Sequence, residues 1–248
     1  FLALVERYGI VWHEKTLGQL FCDGSARQIV AMLIEECAKG AVDIACACPV
    51  REVTHADGQY RVSTARGIAT APALVLATGG PSIPKMGATG FAYDLARQFG
   101  LKIVQPRPAL VPLTLSGEDA LFRELSGVSA DVVARTGKTR FREAALFTHR
   151  GLSGPAILQI SSYWRHGEPI GIDFALESEL GNLSDRALAA AQARLADWTF
   201  LPNGSEGYAK AEVTAGGVDT AGLSSQTMEA KAVPGLYVIG EAVDVTGW

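Results

Sequence analysis

Cysteine is scarce and ill-spaced in this sequence. Its four cysteines are Cys22, Cys37, Cys46 and Cys48. A single residue separates the last two, where a redox or zinc pair has two, so a disulfide framework is excluded and a reducing, cytoplasmic setting is expected. Histidine is equally thin: His13, His55, His149 and His166 share no ligand spacing with one another or with the cysteines, and no metal site is expected. Charge of one sign is lacking as well. The 22 basic and 26 acidic residues leave a net charge of −4, and there is no basic run, which argues against nucleic acid and anionic membrane as partners. Apolar stretches such as the one from Ala71 to Ala77 fall far short of the ~20 residues of a membrane span. The sequence starts at Phe1 without Met and stops at Trp248 in a Gly-rich run, and both ends read as cuts in a longer parent.

What is present is apolar substance. Hydrophobic residues make up 48% of the 248 positions and charged residues 19%, enough for a sizeable core and too much for a disordered or collagen-like chain. Ser25, with Gln28 three residues on, reads as a capping box before the helical spacing of Ile29, Met32, Leu33 and Cys37; Gly40 supplies a left-handed stop, so a helix is predicted over 26 to 39. Val42 to Val50 reads as a strand. Asp57-Gly58 accepts the positive φ angles of a tight hairpin turn, so 50 to 70 is predicted to be an antiparallel meander. Gly90 to Gln98 is a second helix closed by Gly100. From Arg107 onward prolines and alternating segments (Leu110 to Leu115, Val128 to Arg135, Arg140 to Leu146) predict a mostly antiparallel β-barrel or sandwich. Ser153 is expected to cap a helix through Ser162, with Pro155 in its first turn, and Ser184 to open an Ala-rich helix to Trp198.

Two segments are built alike. Pro72-Ala73-Leu74-Val75-Leu76-Ala77-Thr78-Gly79 and Pro234-Gly235-Leu236-Tyr237-Val238-Ile239-Gly240-Glu241 are short apolar strands that turn small at their carboxyl ends. Continuous apolar character suits strands covered on both faces of a parallel sheet. Ligands of open α/β sheets lie beyond such ends, where a residue without a side chain lets the backbone approach a long cofactor. Two ordinary core strands ending in turns would read the same way. Glu241, with Asp244 three residues on, is suited to accept hydrogen bonds from hydroxyls such as those of a ribityl chain, or to be a solvated loop acid.

Other motifs fail on inspection. Thr136-Gly137-Lys138-Thr139 resembles the end of a P-loop, but Val132 stands where the loop needs its first glycine, so a turn between strands is the better reading. Gly151-Leu152-Ser153-Gly154 resembles a nucleophile elbow, but Pro155 replaces its second glycine. A hydrolase built on Ser153 and His149 is therefore the weakest reading. His149, in a polar stretch, is a weak candidate for an active-site acid, base or anion contact, or else a structural loop residue.

The ordered blocks Leu76-Ala77-Thr78-Gly79-Gly80 with Gly87-Ala88-Thr89-Gly90, Arg107-Pro108-Ala109-Leu110-Val111-Pro112-Leu113, Phe147-Thr148-His149-Arg150-Gly151-Leu152-Ser153-Gly154-Pro155, Ala211-Glu212-Val213-Thr214-Ala215-Gly216-Gly217-Val218 and Gly240-Glu241 to Asp244-Val245-Thr246-Gly247 run over nearly the whole chain. In these blocks it resembles the HI0933-like family of bacterial flavoproteins, also described as the BaiN or aminoacetone oxidase family. The resemblance implies a glutathione-reductase-type α/β FAD-binding domain, interrupted by a β-barrel and a helical domain. On it, residues 1–106 and 226–248 form the partial FAD-binding domain, 107–177 and 206–225 the barrel, and 178–205 a shortened helical remnant. It also implies FAD contacts from Val50, Thr78, Gly79, Gly80, Gly240, Glu241, Asp244, Thr246 and Gly247, with Val50 meeting the adenine through main-chain atoms. The implied activity is an FAD-dependent oxidoreductase moving electrons or hydride between NAD(P)H or oxygen and a small molecule. A non-catalytic binding module is the alternative. The G-x-G-x-x-G turn that cradles the pyrophosphate in such proteins is absent from these residues, so the sequence as it stands is expected to hold FAD poorly.

Overall fold

The computed structural model describes residues 1–15, 18–174 and 198–245. The chain divides into two compact units, Phe1–Glu52 with Val62–Ala69, and Val53–Arg61 with Thr70–Trp248.

In the first unit, helix α1 (Leu2–Arg7) precedes a hairpin of β1 (Trp12–Glu14) and β2 (Leu20–Cys22), in which Trp12 pairs with Cys22 and Glu14 with Leu20. Helix α2 (Arg27–Lys39) follows. Val5, Ile10 and Met32 form its small core. The expected box is half made: Ser25 N donates to Gln28 Oε1 at 3.3 Å and Arg27 N to Ser25 Oγ at 3.2 Å, while the cap position itself falls on Ala26. The helix stops differently from expectation, because Gly40 keeps φ −83° and Ala41 takes the left-handed turn at φ 53°. The strand expected over 42 to 50 is irregular up to Val50. Two left-handed alanines, Ala41 and Ala47 (φ 51°), turn the chain too often for an extended ladder.

Strands β3 (Val50–Ala56), β4 (Gln59–Thr64) and β5 (Gly67–Ala71) make the predicted meander in that order, and the boundary between the units passes through it. Its first turn uses Asp57 at φ 52° and Gly58 at φ 72°, the positive pair a two-residue hairpin loop requires.

In the second unit, β6 (Leu74–Leu76) leads to helix α3 (Phe91–Gln98), which buries Ala92, Tyr93, Leu95 and Ala96 and is followed by left-handed Gly100. Strand β7 (Ile103–Ala109) runs across the expected domain boundary at 106/107. Then come β8 (Leu113–Thr114), β9 (Ser129–Thr136), β10 (Thr139–Phe147), β11 (Gly151–Ser153), helix α4 (Pro155–Ser161), β12 (Ile170–Phe174), β13 (Trp198–Phe200), β14 (Gly204–Ser205), β15 (Val213–Val218) and β16 (Leu236–Val238).

No barrel forms. Seven strands lie in one open antiparallel sheet, ordered β13-β12-β9-β10-β11-β8-β14. Closure would require β13 to pair with β14; instead β14 is a two-residue edge strand, and α4 packs across β9 and β10 with Ala156, Ile157 and Ile160 fully buried. The helix fills the space a barrel would have enclosed. Phe122, Phe147, Trp198 and Phe200 complete the core, with ring centroids 4.3 Å apart for Phe122 and Trp198 and 4.7 Å for Trp198 and Phe200. Each such side chain contributes about 1.5–3 kcal/mol by leaving water.

Gly137 turns β9 into β10 at φ 53°, the turn between strands expected in place of a P-loop. Helix α4 begins on Gly154 with Pro155 in its first turn, but Ser153 is no cap: it ends β11, opposite Leu146. The helix expected from Ser184 falls outside the described residues up to 197, and Trp198 opens a strand.

Candidate cofactor-binding site

The two look-alike segments are partners. β6 and β16 pair in parallel, Leu74 with Leu236, Val75 with Tyr237 and Leu76 with Val238. Flanking bonds lengthen the ladder, Leu74 N to Gly235 O at 2.8 Å and Ile239 N to Leu76 O at 3.1 Å. The expectation of strands covered on both faces holds for Leu76, Leu236 and Val238, whereas Val75 is 55% exposed.

Parallel pairing brings both carboxyl ends out on one side, Thr78-Gly79 beside Ile239-Gly240. Gly79 (φ 67°) and Gly240 (φ 68°) are both left-handed, a conformation glycine adopts without a steric cost. A Cβ on Gly240 would meet nothing within 4 Å, and one on Gly79 would meet only Cβ of Glu241, at 4.0 Å. Bare main chain therefore borders open space at both tips, with Thr78 exposed beside it.

Behind the tips the glycines serve another purpose. A Cβ on buried Gly80 would lie 2.5 Å from Thr214 Oγ1 and 2.7 Å from Tyr93 Oη, and one on Gly217 would lie 2.6 Å from Ala242 O. These positions are small because protein fills them. β15, which pairs antiparallel with β7, supports the loop after β16: Asp244 N donates to Val218 O at 2.9 Å. Glu241 braces the same strand, its Oε1 accepting from the buried Thr214 N at 2.6 Å, while Thr214 Oγ1 and Ser82 Oγ share a bond of 2.8 Å. Tyr93 Oη is buried beside them with no hydrogen-bond partner among the described residues. Burial first, then the charge of Glu241 and the phenol of Tyr208, push its pKa up to about 12.

Of the residues expected to contact a cofactor, the structure brings Thr78, Gly79, Gly240 and Glu241 together, with Gly80 packed beneath them. Asp244 lies half-buried on the same loop, within electrostatic reach of Arg107. Val50 opens β3 in the first unit, where it is exposed. Thr246 and Gly247 lie outside the described residues. His149 is exposed in the turn where Thr148 N bonds Gly151 O at 2.8 Å, and no hydrogen bond joins it to Ser153 among the described residues, so they form no hydrolytic pair. Tyr93 and Ser82 escaped sequence reasoning, since no spacing signals a contact 132 positions away such as Ser82 to Thr214. Thr214 stood in a glycine-rich block but was valued there for its backbone.

A flat, elongated cofactor suits this edge. Its approach needs backbone free of side chains, which Gly79 and Gly240 provide, and polar groups at the rim, which Thr78 and Asp244 provide. Among the described residues no cluster of three His, Cys, Asp or Glu is placed to hold a metal, and no helix is long and apolar enough to cross a membrane.

A family described as the HI0933-like protein Rossmann domain matches residues 1–248. The ribosomal RNA dihydrouridine synthase of Escherichia coli (strain K12) is 44% identical over 295 residues, covering 100% of this chain and 73% of that protein. The protein of the same name from Haemophilus influenzae (strain ATCC 51907 / DSM 11121 / KW20 / Rd) is 40% identical over 297 residues, covering 100% of this chain and 74% of that one. The 3-dehydro-bile acid delta(4,6)-reductase of Clostridium scindens (strain ATCC 35704 / DSM 5676 / VPI 13733 / 19) is 26% identical over 232 residues, 70% of this chain and 56% of that protein. The first two alignments run longer than the 248 residues of the chain, so those relatives carry internal segments with no counterpart here.

Proposed function

Because the chain belongs to the HI0933-like family, we propose that it works as an FAD-dependent reductase of a carbon–carbon double bond conjugated to a carbonyl, with a uridine of ribosomal RNA as the substrate. The cofactor half of this reading is carried by the parallel pairing of β6 and β16, which sets two left-handed glycines with open α-carbons side by side. The substrate half is supported by the names of the relatives. Making dihydrouridine saturates the bond between C5 and C6 of uracil, which is conjugated to the C4 carbonyl. The name delta(4,6)-reductase describes a related saturation in a small molecule. The argument against nucleic acid concerns net charge and basic runs along the sequence, and a uridine can be held by basic residues that only the fold brings together on an acidic chain.

The chemistry supplied by bound FAD is a hydride relay, from a nicotinamide to the alkene carbon β to the carbonyl, with a proton completing the other carbon. Reduction consumes electrons, so NAD(P)H rather than oxygen is the productive partner. On this reading Gly79 and Gly240 let the main chain lie against the cofactor, Thr78 offers its hydroxyl at the rim, and Asp244 accepts from a sugar or ribityl hydroxyl. Glu241 is a positioning residue, because its Oε1 is engaged with Thr214 N and fixes the loop on β15. Gly80 keeps the turn close to Tyr93 and Thr214.

The test is single-turnover reoxidation of the photoreduced, FAD-loaded protein. Bleached flavin absorbance that recovers anaerobically with ribosomal RNA, with dihydrouridine detected in the RNA, supports the reading. Recovery with a small steroid dienone and not with RNA moves the substrate to a small molecule. No flavin uptake at all overturns the cofactor half.

A further inference from the structure

A cavity of about 270 Å³ lies where the end of α4 meets β7 and β14, and Arg107, Trp164, Arg165, His166 and Ser205 are among its walls. Its two guanidinium groups have no acidic partner: among the described residues neither Arg107 nor Arg165 forms an ion pair. Their hydrogen bonds go to main-chain carbonyls, Arg107 Nη2 to Ser162 O at 2.5 Å and Arg165 Nη1 to Tyr163 O at 3.3 Å. The pair is also under electrostatic tension. Burial and then the nearby positive charge of Arg165 hold the pKa of Arg107 below its ordinary value, against the pull of Asp244 and Tyr208. Arg165 is exposed and Asp244 offsets part of the repulsion felt by half-buried Arg107, and an anion in the hollow would relieve the rest.

We infer that this cavity binds a nucleotide phosphate, held by Arg107 and Arg165. Guanidinium groups match phosphate oxygens in paired hydrogen bonds. His166 and Ser205, also in the lining, are further side chains able to donate to a phosphate oxygen. The volume falls just under the ~300 Å³ at which sites for drug-sized ligands begin, so it suits one phosphorylated nucleoside end rather than a run of nucleotides. Arg107 feels the charge of Asp244, on the loop that follows β16, which brings the phosphate site within electrostatic reach of the proposed cofactor edge. The inference deepens the proposed function and rests on it for the source of the phosphate, either the RNA at the target uridine or the nicotinamide donor.

The experiment is equilibrium binding of uridine 5′-monophosphate, uridine and inorganic phosphate to the protein and to Arg165→Gln and Arg165→Lys, with flavin content read from the same samples. The expected result is that the monophosphate binds more tightly than uridine, that Arg165→Gln weakens it roughly ten- to hundredfold, and that Arg165→Lys falls between, with flavin content unchanged. Equal affinity for uridine and its monophosphate in the unaltered protein overturns the site, and so does an Arg165→Gln protein that binds as well as the original. The first comparison stands even if the variant fails to fold. Displacement of the monophosphate by a short uridine-containing RNA assigns the phosphate to the substrate, and displacement by NADPH alone assigns it to the donor. A protein with flavin but no preference for phosphate defeats this inference only. One without flavin that keeps the Arg165-dependent preference defeats the proposed function only.

Discussion

The seven-stranded sheet gathers Phe122, Phe147, Trp198 and Phe200 into one buried cluster, whereas β6 and β16 contribute three residues each and end in glycines that face open space. The first region is built by mass: overlapping aromatic rings and a covering helix, with little at its centre that a ligand can reach. The second is built by omission. Side chains are missing at Gly79 and Gly240, where on the proposed reading a cofactor comes close, and at Gly80 and Gly217, where the protein itself comes close. Stability and ligand contact are thus drawn from different parts of the same unit, and substitutions should separate them.

The largest effect is expected in the aromatic cluster. Trp198→Ala removes a ring that packs tilted against Phe122, stacks on Phe200 and donates to Asp119 at 3.1 Å. It should cost about 3–5 kcal/mol in urea unfolding while leaving FAD affinity of the still-folded protein unchanged. Gly217→Val comes next. It places a Cβ against Ala242 O from a φ of 136°, and should cost about 3 kcal/mol while also loosening the loop after β16. Glu241→Ala strands the buried Thr214 N, which should lower stability by about 1–3 kcal/mol and weaken FAD in parallel, a coupling the sheet variant should lack.

Tyr93→Phe should be smallest at neutral pH, because the hydroxyl it removes has no partner to lose. Its signature lies in alkali. The Tyr93 pKa stands at about 12 in the fold against an ordinary 10.0. The folded phenol therefore keeps its proton where the unfolded one begins to lose it. Tyr93 supports the fold fully below about pH 10 and progressively less up to about pH 12, so the original protein should lose stability faster than Tyr93→Phe across that window. Unfolding midpoints measured from pH 8 to 12 check this, and parallel curves would show that the phenol is not held protonated.

Much of the second region was legible in the sequence. Two apolar runs with matching glycine ends implied strands with a common purpose, and the fold pairs them residue for residue. The Asp57-Gly58 turn was equally readable, because few dipeptides accept two positive φ angles in succession. The barrel was misread for a physical reason: alternation reports which side of a strand is buried, but not whether the first and last strands of a sheet meet. Val42 to Val50 was misread because apolar content does not guarantee a ladder partner. The packing of Gly80 against Tyr93 and Thr214 was illegible, since it depends on contacts distant along the chain. The basic hollow at Arg107 and Arg165 was hidden likewise, its two cations lying on different elements of an acidic sequence.

Titration of the flavin-free protein with FAD, comparing the original with the Gly79→Val/Gly240→Val double variant, tests the placement of the cofactor most directly. A Cβ at Gly240 meets nothing within 4 Å and one at Gly79 only touches Cβ of Glu241, so structural damage should come chiefly from the strain of two left-handed residues, about 1–2 kcal/mol each. The account predicts that the original takes up FAD, weakly because these residues include no G-x-G-x-x-G turn, and that the double variant, still folded by its circular dichroism, binds it at least a hundredfold less tightly. Equal FAD affinity in the two proteins would contradict it.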